Sequence, residues 1–176
     1  MSAGRPPVLD PGPFTLCVPG TRPPRPRRPG TPEGLGDRLR TAAFAEWQAI
    51  TAFRWAAEHF ADAPEQLRAD WRSQVADEAR HYRLIIDRMR ALGIDPAGRP
   101  VSDSLWASLR QCATGREFCV RIASAEERGR VAALRLIEFL AGSDPETAAV
   151  FREIADDEVA HVSLATTYYG WSPGSP

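Results

Sequence analysis

Two Glu-x-x-His pairs, Glu78/His81 in ADEARHY and Glu158/His161 in DDEVAHV, set the tightest limit on how this chain can fold. Each pair follows another glutamate at an identical interval, Glu46 before Glu78 and Glu126 before Glu158. The chain holds only three histidines, and two of them belong to these pairs. On a helix, i, i+3 spacing turns a carboxylate and an imidazole to one face. If the chain bends near residue 62, Glu46 and Glu78 each lie roughly 24 Å from the bend at about 1.5 Å per residue. A bend near Gly142 does the same for Glu126 and Glu158. Four long helices would then carry four carboxylates and two imidazoles to one level of a bundle core.

The surrounding pattern is helical. Thr31-Pro32-Glu33 reads as an N-cap, a proline at the first helical position and an acid in the first turn. A first helix is predicted from there to about Ala61. A second, about 64–92, restarts at Asp62-Ala63-Pro64-Glu65 and stops at Gly93 and Asp95-Pro96. A short helix capped by Ser102 is predicted over roughly 103–112. Thr114-Gly115 interrupts it, a long third helix follows to Ala141, and Gly142 to Glu146 restarts the chain as a fourth, to about Tyr169. No segment alternates with period two, so no sheet is expected. The halves match each other: Trp71-Arg72 and Phe151-Arg152 stand seven and six positions before their glutamate, and Asp77 and Asp157 immediately precede it. The second helical hairpin therefore reads as a duplicate of the first. The expectation is an all-α antiparallel four-helix bundle over residues 32–171, with one short extra helix before the third and a tail at 172–176.

Residues 1–31 differ. Ten of the sixteen prolines fall between Met1 and Pro32, with Arg5, Arg22, Arg25, Arg27 and Arg28 among them. Prolines at that density forbid both helix and sheet ladders, so an extended Pro/Arg-rich arm is predicted, free or lying along the bundle. A PxxP ligand or an arginine-rich RNA contact are its functional alternatives.

Apolar residues at −7, −4, +4, +7, +11 and +14 from Glu46 (Leu39, Ala42, Ile50, Phe53, Ala57, Phe60) turn that glutamate inward. Cys119, Ile122, Ala133, Ile137 and Leu140 do so for Glu126, while Glu127 reads as its exposed neighbour. Four carboxylates in an apolar core are costly unless they are protonated, paired with arginine or sharing cations. Two divalent ions would neutralise all four and use both imidazoles. Oxygen and imidazole donors without thiolate favour iron or manganese over structural zinc. The expected ligands are Glu46, Glu78, His81, Glu126, Glu158 and His161, with Glu78 and Glu158 bridging. Asp77 and Asp157 are expected to accept the free N–H of the imidazole across the bundle. Gln74, Tyr82, Gly129 and Arg130, with Ile50 and Phe53, are the candidate lining of a substrate pocket. His59, off this face near the end of the first helix, reads as a surface residue favoured by the helix dipole.

Composition bounds the rest. The chain has 176 residues, 43% of them apolar, which supports one domain with a core. All 22 basic residues are arginine and the net charge is −1, so nothing suggests a general attraction to nucleic acid. Cys17, Cys112 and Cys119 form no CxxC, which suits a reducing compartment. No apolar run of about 18 residues and no leader is present, so a soluble cytoplasmic protein without a membrane partner is expected.

Glu46, Glu78-x-x-His81, Glu126 and Glu158-x-x-His161 resemble the ferritin-like di-iron carboxylate proteins. Within them, AEWQAI, ADAPEQLRADWRSQVADEARHYRLI, AEERGR and DDEVAHV are similar to an uncharacterised bacterial ferritin-like domain family, itself akin to the tRNA-modifying di-iron hydroxylases. The resemblance spans about residues 32–171 and leaves the arm without a counterpart. It implies two irons, or a manganese–iron pair, that activate dioxygen to oxidise an organic small molecule with electrons from an external donor. The alternatives are a ferroxidase or metal-storage protein, for which no acidic run marks an iron path, and a tRNA hydroxylase. The tRNA reading lacks a basic face on the bundle, although the arm offers one. Members of that family continue past the fourth helix, so an exposed bundle edge and a homodimer to cover it are also expected.

Overall fold

The computed structural model describes residues 6–174; Arg5 of the arm and the last two residues of the expected tail lie outside that range. Within it the fold is all-helical. α1 spans Pro32–His59, α2 Glu65–Ala91, α3 Ser104–Leu109, α4 Gly115–Leu140 and α5 Pro145–Tyr169. The third and fourth long helices expected from sequence are therefore α4 and α5. No strand occurs among the described residues; one isolated parallel bridge, Leu16 with Val101, ties the arm to the segment before α3.

The helix ends follow local chemistry. Thr31 Oγ1 accepts the Gly34 N–H at 3.0 Å with Pro32 next in the chain, and Thr114 Oγ1 accepts from Glu117 N at 3.1 Å. Asp144 caps α5 through Thr147 N, 3.0 Å. The short helix begins one residue later than expected and ends at Leu109, with Ser102 Oγ accepting from Ser104 N.

α1 packs along α2 and α4 along α5 as two helical hairpins, which meet chiefly through α2 and α5. Between the hairpins, Arg88 of α2 donates to Thr147 Oγ1 and Asp144 Oδ1, both at 2.8 Å, just where α5 starts. Gly115 is required at the other join. A Cβ there would lie 2.7 Å from that of Ala63, so only glycine lets α4 begin against the α1–α2 turn, where Asp62 accepts its N–H. Leu39, Phe44, Phe53, Leu67, Trp71, Ile85, Met89, Leu109 and Phe118 fill the core with under 2% exposure each. Burying a large apolar side chain stabilises by about 1.5–3 kcal/mol, so this set dominates the fold energetically.

The arm is a strap rather than a free tail. Leu9 and Phe14 join the core, and the Trp47 indole donates to Asp10 O at 2.7 Å. Further along, Asp37 of α1, 5% exposed, accepts from Arg27 N, Nε and Nη2 and from Arg99 Nη1 at 2.7–3.1 Å. The Arg27 guanidinium lowers the Asp37 carboxyl to about 2 against the cost of burial. The arm backbone also passes so close to α1 that a Cβ on Gly34 would meet Arg28 O at 1.7 Å.

Candidate metal centre

α2 and α5 bring their Glu-x-x-His pairs face to face, and Glu78, His81, Glu158 and His161 are all buried. His81 Nδ1 stands 3.6 Å from Glu158 Oε1 and 3.9 Å from Glu46 Oε2. His161 Nδ1 stands 3.0 Å from Glu78 Oε1 and 3.5 Å from Glu158 Oε2. Glu158 thus offers one oxygen towards each histidine. Glu46, Glu78, His81 and Glu158 form one set of donor atoms all within 4.8 Å of one another, and Glu78, Glu126 and His161 form a second. Glu78 belongs to both.

The far edge of each ring faces an aspartate of the opposite helix. His81 Nε2 lies 3.1 Å from Asp157 Oδ2, and His161 Nε2 lies 3.5 Å from Asp77 Oδ2. Each aspartate can accept the Nε2–H of the ring it faces, which turns Nδ1 towards the carboxylates. Arg80 joins the two aspartates: its Nη2 donates to Asp157 and reaches within 4.0 Å of Asp77, while Nη1 donates to Glu153 at 2.5 Å. Sequence reasoning passed over Arg80, although its place at i+3 from Asp77 and beside His81 was a usable signal. Ala160 occupies the matching position of α5, so one guanidinium serves both halves.

Six donor atoms at this level are sealed from solvent and make no hydrogen bond among the described residues: Glu78 Oε1, His81 Nδ1, both Glu126 oxygens, Glu158 Oε2 and His161 Nδ1. The 3.0 Å approach of His161 to Glu78 is close but not aligned for one. Burial, with Glu78 beside it, pushes Glu46 well above the usual carboxylate range, and burial with Glu158 does the same to Glu126. Burial also raises Glu158. Glu78 goes the other way, because His161 and Glu46 outweigh its burial. Burial disfavours a charged His161, yet Glu158 and Glu78 push it up to about 11. Orphaned buried acceptors cost about 1–3 kcal/mol each, more when charged. Two divalent cations would satisfy all six atoms at once, and a set of oxygens and imidazoles suits iron or manganese.

A cavity of about 110 Å³ opens onto Glu46, Glu78, Glu126 and Glu158, walled by Ala42, Ala45, Ala49, Ile122, Phe151 and Ile154. A larger space of about 520 Å³ borders it, sharing Ala42, Ala45, Gly129, Ala133 and Phe151 and partly closed by Pro26 and Pro29 of the arm. Of the six pocket residues expected from sequence, Gly129 and Arg130 line the inner cavity and the other four do not. Ile50 faces an outer groove beside Pro7 and Val8. Tyr82 packs at a tilt against Trp47 and edge-on against Phe14, with ring centroids 5.0 and 6.4 Å away, under the arm. Phe53 is buried with its ring 6.5 Å from that of His161, and Gln74 is buried with Oε1 lacking a hydrogen-bond partner among the described residues. Helical twist explains two of these corrections. With 3.6 residues per turn, position i+3 lies about 60° to one side of a glutamate and i+4 lies about 40° to the other. Ala49 and His81, at i+3, face the centre, whereas Ile50 and Tyr82, at i+4, face the arm.

Two readings of charged residues also change. Glu127 is not a bare surface residue: it accepts from Arg130 Nε and Nη2 at 2.7 and 2.9 Å, which holds Arg130 at the cavity edge. His59 does end α1, but its ring stacks on Trp55, centroids 4.4 Å apart, and its Nδ1 is buried.

With this geometry in view, the chain belongs to the family described as a protein of unknown function, DUF455, which matches residues 7–174. The match takes in the arm from residue 7, so the arm lies inside that family's region. Neither the curated proteins nor the solved structures offer a match to this chain. No helix among the described residues is long and apolar enough to cross a membrane.

Proposed function

We propose that the two hairpins form a ferritin-like antiparallel four-helix bundle holding two iron ions, and that the protein is a dioxygen-dependent oxidoreductase acting on a small organic molecule. The observation that carries this reading is the six-atom set of buried, unbonded carboxylate and imidazole donors at one level of the core. Glu46, Glu78, His81 and Glu158 would hold one ion, and Glu78, Glu126 and His161 the other, with Glu78 common to both. When bound, such a pair supplies electron transfer to dioxygen and oxidation of the substrate, recharged by an external donor.

The rest falls to the chain's own residues. Asp157 and Asp77 keep the Nε2 proton on His81 and His161, and Arg80 fixes both aspartates. The alanine, isoleucine and phenylalanine walls exclude bulk water and accept an apolar substrate body. Arg130, steered by Glu127, sets a polar edge to that cavity.

Anaerobic loading with ferrous iron, elemental analysis and then exposure to air under an absorption spectrometer test the proposal. About two metal equivalents per chain and a discrete ferric product are expected. Less than half an equivalent of any transition metal would overturn the metal centre. Uptake of tens of irons per chain would replace the oxidoreductase reading with storage.

A further inference from the structure

Positive charge gathers at one concave place beneath the arm, away from the carboxylate cluster. Arg22 and Arg25 of the arm, Arg40 of α1 and Arg99 border a cavity of about 290 Å³ whose lining includes a single carboxylate, Asp37. That carboxylate is already occupied: it accepts from Arg27 and Arg99, and Arg40 Nη1 is 3.5 Å away. Among the described residues the side chains of Arg22 and Arg25 have no hydrogen-bond or ion-pair partner. Arg40 is 8% exposed; its Nε donates to Asp95 O at 2.7 Å, while its Nη2 makes no hydrogen bond among the described residues. Four guanidiniums against one carboxylate leave an excess of three positive charges in the lining of a chain whose net charge is −1.

Like charges held this closely repel unless an anion joins them. We propose that this cavity binds the phosphate group of a small phosphate monoester. Several guanidiniums in one lining suit a dianion better than a singly charged carboxylate, and their planar forks match phosphate oxygens in pairs. The cavity is walled by arm residues 22–26 on one side and by α1 with residues 99–101 on the other. Its volume fits one phosphate with a small body rather than a nucleic-acid strand. None of the proposed metal ligands takes part, so this site and the metal centre can fail separately.

Calorimetric titration of the full-length chain with inorganic phosphate tests the assignment, with sodium chloride at equal ionic strength as the blank. Saturable one-site binding is expected, at least tenfold tighter than acetate and weakened at least tenfold in the Arg22→Ala/Arg25→Ala variant. That variant keeps the Arg27–Asp37 contact, and an unchanged circular dichroism spectrum and melting temperature in phosphate-free buffer would establish that it is folded. Absence of saturable heat, or phosphate binding undiminished in the folded variant, overturns the proposal. A ten-nucleotide single-stranded RNA bound more than a hundredfold tighter than phosphate would also overturn it, by assigning the cavity to a nucleic-acid backbone.

Discussion

Replacing Asp37 with asparagine tests how the arm is held. The asparagine side chain would keep the shape and one acceptor oxygen but lose the charge facing Arg27, Arg40 and Arg99. The Asp37 carboxyl, held mainly by Arg27, sits at about 2 in the folded chain against an ordinary value of 3.8. At about 1.36 kcal/mol per tenfold change in proton affinity, that difference stabilises the fold by about 2 kcal/mol at neutral pH. The direction follows from the lowered value: the contribution is complete above about pH 4 and disappears as the pH falls through about 2. Roughly half of it should remain at pH 3. Urea unfolding of both proteins at pH 7 and pH 3 measures the gap, which should shrink on acidification. In a chain of this length the pH 7 gap corresponds to a melting temperature lower by about 4–8 °C. Because Pro26 and Pro29 help close the larger cavity, the variant should also be cut faster within residues 20–30 by a protease. A gap below about 0.5 kcal/mol at pH 7, or one that does not change between pH 7 and pH 3, would refute the reasoning.

Three other outcomes follow from the geometry. Glu126→Ala should lose at least one metal equivalent by elemental analysis, whereas Glu127→Ala should retain both and destabilise by less than about 1 kcal/mol, since its contact is one i, i+3 pair with Arg130; the reverse pattern would mean that α4 is rotated. Metal-free protein should melt lower than the metal-bound form at pH 7.5, and the gap should narrow towards pH 5. Glu46 and Glu126 carry raised proton affinities and so stabilise the metal-free fold more as the pH falls, and His161, held at about 11, already contributes across that range. An equal melting temperature with and without metal at both pH values would contradict this. Gly129→Ala should raise stability by up to about 1 kcal/mol, because an added Cβ meets nothing within 4 Å and alanine is the better helix former; a loss of stability by thermal denaturation would show that the position is already crowded.

The chain's local rules were enough to reveal its helices and the donor set. Proline and a capping threonine start α1, Gly93 and Asp95-Pro96 stop α2, and these signals act within one or two turns, so they are legible without a fold. The repeated interval from Glu46 to Glu78 and from Glu126 to Glu158 carried further, because a hairpin of fixed rise converts equal sequence distance from a turn into equal height. The crossing of Asp77 to His161 and Asp157 to His81 was open to the same reasoning. What the sequence alone left undecided lay in angles and in contacts distant along the chain. Ile50 and Tyr82 are apolar or aromatic and sit one turn from a candidate ligand, yet a fraction of a turn in the wrong direction points them to the arm. Arg80 could have paired with any nearby acid until α5 placed Asp157 and Glu153 beside it. The arm was the largest surprise. Its prolines forbid helix and sheet but say nothing about docking, and only the fold brings Phe14 against Phe44 and Arg27 against Asp37. Periodicity records which way a helix faces. It does not record which non-helical segment will cover that face, because that depends on surfaces that exist only after the hairpins have packed.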